Sequence, residues 1–147
     1  MLPTTALTQL AYYAGQVTGL VAHYPAPPDA IAAPALVVFW DETDISEMDE
    51  QTWLMSVKGQ LMVALTGNTR GEILRADPLI ARIADAFSPN AAAPRNAYHL
   101  RSATDPGVDY CRLVRVVPSQ VIGYAGHAYY GAELFWSIKL RRFAGSS

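Results

Sequence analysis

Apolar residues recur in two rhythms along this chain, and the switches between them mark its elements. Leu7, Leu10, Ala14, Val17, Val21 and Tyr24 are spaced three or four apart. That spacing aligns them on one face and predicts a helix from about Thr5 to Tyr24. Thr4 or Thr5, just after Pro3, is placed to accept the first free N–H groups as N-cap. Pro25-Ala-Pro-Pro-Asp29 stops the helix, because proline lacks an N–H and its ring clashes with the preceding turn. Gly15 and Gly19 each cost this helix about 1 kcal/mol against Ala. They serve either a close contact with another backbone or are simply tolerated small residues.

Ala35-Leu-Val-Val-Phe-Trp40 is rich in β-branched and aromatic residues and follows Pro34, so it reads as a strand. Asp41 to Glu50 holds six acids and no base and reads as a polar loop. From Thr52 to Thr66 the period becomes two. Trp53, Met55, Val57, Leu61, Val63 and Leu65 take one face, and Ser56, Lys58, Gln60 and Thr66 take the other. This is a long half-buried strand with a bulge or tight bend expected at Gly59, and with the preceding strand it suggests a hairpin. After the loop Gly67–Gly71, Asp77-Pro78 signals a second helix start, as N-cap and first helical position. Leu79, Ile80, Ile83 and Phe87 form its buried stripe, and Ser88-Pro89 ends it. Residues 72–76 are a candidate earlier turn of the same helix, kinked at Pro78.

Asn90 to Asn96 reads as a loop and Tyr98 to Arg101 as a short strand. Thr104-Asp-Pro-Gly107 is turn chemistry. Tyr110 to Val117 alternates, with Tyr110, Arg112, Val114 and Val116 opposite Cys111, Leu113, Arg115 and Val117; Pro118 marks an edge position or a break. A last strand runs from about Tyr129 to Phe143, with Leu134, Trp136, Ile138 and Leu140 inward and Glu133, Phe135, Ser137, Lys139 and Arg141 outward. The expected architecture is an α+β sandwich of two layers. A mostly antiparallel or mixed sheet carries two helices on one face, in a single domain over residues 1–147.

Composition narrows the function. A chain of 147 residues fits one domain and needs no disulfide or metal to fold. It is 51% hydrophobic and only 16% charged, which excludes a disordered chain and hints that other protein covers part of its surface. The net charge of −2 speaks against counterion-driven nucleic-acid binding. Cys111 is the only cysteine, so neither an intramolecular disulfide nor a Cys-based zinc site is available. Residues 1–10 lack the basic start of a secretory signal, and the longest clean apolar run, Ala35–Trp40, is strand-length. The expectation is a soluble protein of a reducing compartment, with no membrane partner.

No motif points to catalysis. His23, His99 and His127 are scattered without an i, i+4 pair, and each reads as a surface or capped residue. Cys111 sits in an alternating strand, the ordinary place for a small buried hydrophobe. Phosphate-binding loops and a nucleophile elbow are missing, Gly123-Tyr-Ala-Gly126 is a Gly-bounded turn, and the acidic run does not match an EF-hand. No enzyme activity, cofactor or metal is expected.

Charge, however, is divided. Residues 1–69 hold seven acids and one base, a net of −6, while residues 70–147 hold ten bases and six acids, a net of +4. Nine of the eleven bases are Arg, the side chain favoured at interfaces for its bidentate fork. If the two groups project from different sides, Asp41, Glu42, Asp44, Glu47, Asp49 and Glu50 of one subunit can meet Arg70, Arg75, Arg141 and Arg142 of the next. Such a heterologous contact, repeated with a closing rotation, makes a ring. The other reading is that both groups are merely solvated faces.

The chain resembles the tail terminator proteins of long-tailed bacteriophages, the minor tail protein U type. The resemblance lies in Pro34-Ala-Leu-Val-Val-Phe-Trp40, the acidic linker, Gln51-Thr-Trp-Leu-Met-Ser-Val-Lys-Gly-Gln-Leu-Met-Val-Ala-Leu65, the mid-chain helix and Tyr130-Gly-Ala-Glu-Leu-Phe-Trp-Ser-Ile-Lys-Leu140. It implies a homo-oligomeric, hexameric ring in the virion neck, assembled in the host cytoplasm. The ring would cap the tail-tube protein, stop its polymerisation and dock to the head-closure or connector protein. DNA would pass its pore without sequence-specific binding, and the acids of residues 41–50 would line that pore or reach a neighbour. The alternatives are another neck ring component, a small-molecule-binding or enzymatic α+β domain, and a DNA-binding accessory, which the acidic total disfavours.

Overall fold

In the computed structural model, which describes residues 1–48, 51–65, 67–89, 96–102 and 105–141, the half-buried rhythm of the chain becomes one five-stranded sheet. The elements are α1 (Pro3–Gly15), β1 (Ala22–Tyr24), β2 (Ala35–Glu47), β3 (Thr52–Ala64), α2 (Thr69–Ala86), α3 (Asn96–His99), β4 (Tyr110–Tyr124) and β5 (His127–Arg141). The spatial order is β1-β2-β3-β5-β4, with β1 parallel to β2 and every other pair antiparallel. This is an α+β fold with a mixed sheet. Alternation sends Leu36, Val38, Met55, Val57, Leu61, Val63, Leu134, Trp136, Ile138 and Leu140 to one face, where Leu7 and Leu10 of α1 and Leu79 and Ile83 of α2 complete the core. Phe87 meets Trp136 edge to face, with centroids 5.8 Å apart.

The first helix is shorter than its spacing predicts. α1 ends at Gly15, and Leu2, not Thr4 or Thr5, occupies the N-cap position, with Pro3 opening the helix and no side-chain cap. The apolar spacing continues past Gly15, but Gly19 adopts φ +99°, a left-handed turn, and the chain reverses into β1. Val21, expected on the buried face, is exposed. The two glycines have separate tasks: a Cβ on Gly15 would lie 2.1 Å from the ring of His23, while Gly19 makes the turn. Arg82 of α2 donates to the Thr18 carbonyl oxygen at 2.7 Å and pins that turn.

Other boundaries move for local reasons. α2 starts at Thr69 because the Asn68 side chain caps it, accepting the Gly71 N–H at 3.1 Å; Asp77-Pro78 lies inside the helix. Residues 96–99 form a helical turn where a strand is predicted. Tyr98 and Leu100 are both buried, a two-residue spacing that mimics strand alternation. β4 runs on to Tyr124, carrying Pro118 at an irregularity between Val117 and Gln120; as an edge strand it tolerates the missing donor. β5 begins at His127, after a two-residue turn in which Ala125 and Gly126 both have positive φ. The expected strand end at Phe143, the loop residues 90–95 and Thr104 of the expected turn lie outside the described residues.

Gly59 is not a bulge. It pairs in unbroken register with Val38 and Leu134, and its missing Cβ admits Trp136, whose Cζ3 would lie 2.8 Å from such an atom. The irregularity falls on the neighbouring strand instead. Phe39 pairs with Lys58 and Asp44 with Ser56, so the four residues 40–43 oppose Val57 alone. The acidic segment is therefore a bulged continuation of β2 through Glu47, not a free loop.

Candidate functional site

The sheet face away from the helices has two unlike halves. At one end residues 25–34 fold over Val37, Met62 and Ile122, anchored by the Tyr124 hydroxyl donating to the Pro28 carbonyl oxygen and the Ala32 N–H donating to the Tyr24 hydroxyl at 3.2 Å. The other half is open, with a groove of about 490 Å³ bordered by Glu42, Lys58, Val114, Arg115, Glu133 and Phe135.

A chain of charge crosses this open half. Lys58 Nζ lies 3.3 Å from Glu42 Oε1 and 3.2 Å from Glu133 Oε2, and 5.8 Å from the centroid of the Phe39 ring. Partial burial pulls the Lys58 ammonium down, but hydrogen bonds to and charges on Glu133 and Glu42 outweigh it and hold the group above its ordinary value. The excursion that carries Glu42 is closed by Thr43 Oγ1 donating to the Phe39 carbonyl oxygen at 3.0 Å. One acid of the candidate set is thus bound within its own sheet.

The remaining acids line an edge. β1 pairs with β2 only at Ala35, Leu36 and Val37, so beyond that point no strand among the described residues covers β2. Glu42, Asp44 and Glu47 are exposed along this stretch, together with Trp40 and Met48. Asp41 belongs to the same strand. Asp49 and Glu50 lie outside the described residues.

The arginines chosen from sequence do not form a matching patch. Arg75 of α2 donates to the Ala64 carbonyl oxygen at 2.8 Å, and Arg70 is exposed in the first turn of the same helix. Arg141 sits at the far end of the sheet, opposite Thr52, with its Nε 3.5 Å from Asp109. Ala64 and Thr52 bound a thirteen-residue strand, so these bases are roughly 40 Å apart along the sheet. Arg142 lies outside the described residues.

A basic edge exists elsewhere, on β4. Arg112 pairs with Ser137 and Arg115 with Phe135, both on the open face, because a register shift at Val114 inserts one residue between them. Strict alternation had put these arginines on opposite faces; the bulge brings them together. Arg112 stacks 4.3 Å from the Tyr110 ring centroid and donates to the Tyr98 hydroxyl at 3.1 Å, while Arg115 lies 5.2 Å over Phe135. Val114 and Val121 are exposed on the same strand.

The cysteine and the histidines stand apart from these charged edges. Burial pushes the Cys111 thiol well above its usual range, so it stays protonated. His99 Nδ1 lies 3.1 Å from the Val108 carbonyl oxygen. His23 and His127 are exposed on β1 and at the β4–β5 turn. Among the described residues no three His, Cys, Asp or Glu side chains converge in metal-binding geometry, and no helix is long and apolar enough to cross a membrane. Searches against protein-family models and against curated proteins find no match to this chain.

Proposed function

We propose that this chain is a structural subunit of a long-tailed phage virion, a tail terminator that works as a homo-oligomeric ring. In this reading a hexameric ring sits on the last turn of tail-tube protein, blocks further addition and offers its other side to the head-closure or connector protein. It works by shape, since one ring face matches the tube and the other does not copy it. The ring leaves a pore for DNA, and a subunit charge of −2 disfavours phosphate binding along it. The observation that carries the reading is the open sheet with oppositely charged, partly apolar edges, a form suited to repeated heterologous contact. Resemblance in the order of elements, from the first helix through the acidic β2–β3 segment to β5, supports the terminator in particular.

The test is sedimentation and negative-stain microscopy of the 16.0 kDa chain, alone and mixed with the tail-tube protein encoded in the same genome. Closed rings at tube ends, with tubes that stop growing, are expected. A chain that stays monomeric in both conditions while tubes elongate unchecked would overturn the proposal. Rings that bind a connector but leave tube growth unaffected would move the assignment to another neck component.

A further inference from the structure

We infer that the partner of the acidic β2 edge is the β4 edge of a second copy of this chain, so that subunits join side by side through the two ends of the strand order. The inference rests on the ring reading above and names the surfaces that build the ring. Three strand spacings separate β2 from β4, so the edges lie about 14 Å apart on opposite flanks of one sheet. One flank exposes Asp44 and Glu47 with Trp40 and Met48; the other exposes Arg112 and Arg115 with Val114. Each flank thus joins one sign of charge to exposed apolar surface, and the signs are opposite. A flank of one sign repels its own copy, so two-fold pairing of like edges is disfavoured and head-to-tail pairing is favoured.

The same geometry says how the edges meet. β2 is interrupted by the residue 40–43 excursion, and β4 by shifts at Val114 and before Gln120, where Pro118 also removes a donor. Bulges and proline on an edge block continuation of a hydrogen-bonded ladder. The joint is therefore made by side chains, carboxylate to guanidinium and Trp40 or Met48 to valine, and not by extending the sheet from one copy into the next.

Charge exchange tests this directly. Glu42 is left in place because it pairs with Lys58. The variant D44K/E47K puts lysines in place of the two exposed acids that face the arginines, and R112E/R115E makes both flanks acidic. Each alone should lose assembly by about tenfold or more in its association constant. An equimolar mixture of the two should assemble, because each altered flank then meets its complement. The fourfold variant D44K/E47K/R112E/R115E, with both flanks exchanged, should assemble by itself. Circular dichroism and melting curves establish that each variant is folded. Wild-type-like assembly of either folded double variant overturns the pairing, as does failure of both the mixture and the fourfold variant to recover. Those results leave the ring intact as a reading. Failure of the unaltered chain to assemble, with or without tube protein, overturns ring and pairing together.

Discussion

Lys58 serves two carboxylates, and its position explains why three charged side chains sit together on a sheet face. Its side chain is only one-fifth exposed, so the ammonium gives up much of its hydration and recovers it from Glu42 and Glu133. Replacing Lys58 by Met keeps the volume but leaves the two acids facing each other without the cation. The expected cost is about 1–2 kcal/mol, since Glu42 remains open to solvent and is screened. For a chain of this size the melting temperature should fall by about 2–8 °C. Adding Glu133→Gln to Lys58→Met should recover most of that loss, because no carboxylate pair remains. The pH dependence follows from the direction of the shift. A lysine held above its ordinary value contributes its full stabilisation below the unfolded value of about 10.4 and loses it as pH rises through the folded value. Urea unfolding should show a constant gap between wild type and K58M from pH 6 to 9, closing only above about pH 10.4. A gap that closes near neutrality would mean that Lys58 does not hold the cluster.

Strand pairing, more than local preference, decides where these elements begin and end. Gly59 tests this: its register is fixed on both sides, and a Cβ would press on the fully buried Trp136 and lie 3.2 Å from the Val37 carbonyl oxygen. Gly59→Ala should destabilise by about 1–3 kcal/mol through overpacking, read as a lower urea midpoint with an unchanged slope. Asn68→Ala should cost about 1 kcal/mol by removing the cap of α2. β3 and β5 were legible because they are central and half-buried, so their alternation is a direct image of the core. The second half of β2 was hidden, since β3 supplies its ladder while its own residues look like a solvated turn; only Ile45 keeps the apolar beat. The helix end was misread because Val17, Val21 and Tyr24 prolong a helical spacing that Gly19 cuts. For the candidate site, composition revealed the acids but not their partners. The arginines of β4 were invisible as a pair because one inserted residue at Val114 reverses their parity, and such an insertion leaves no mark in the pattern of a lone sequence.

At the scale of the whole subunit, the proposed joint mixes two forces that salt separates. The edge charges are exposed, and their attraction is screened over about 10 Å at 0.1 M salt and about 3 Å at 1 M. Contact among Trp40, Met48 and Val114 has no such dependence, because removal of apolar surface from water does not rest on charge. Assembly followed by sedimentation from 50 mM to 1 M NaCl should therefore weaken and then level off at a residual apolar value. Trp40→Ala should lower assembly by a similar factor at every salt concentration, leaving the salt slope unchanged. The fourfold edge-exchanged chain should again show a salt slope, since its four exchanged side chains attract in reversed places. A version with these four edge charges neutralised, D44N/E47Q/R112Q/R115Q, should flatten the slope but keep the plateau. Should Trp40→Ala abolish the slope while the neutral version preserves it, the charges would be solvated ornaments of two edges and the apolar residues would be acting through some other surface. On the proposed pairing the chain's low charge content acquires a reason: with only 16% charged residues, a few placed on opposite flanks would suffice to orient one copy against the next.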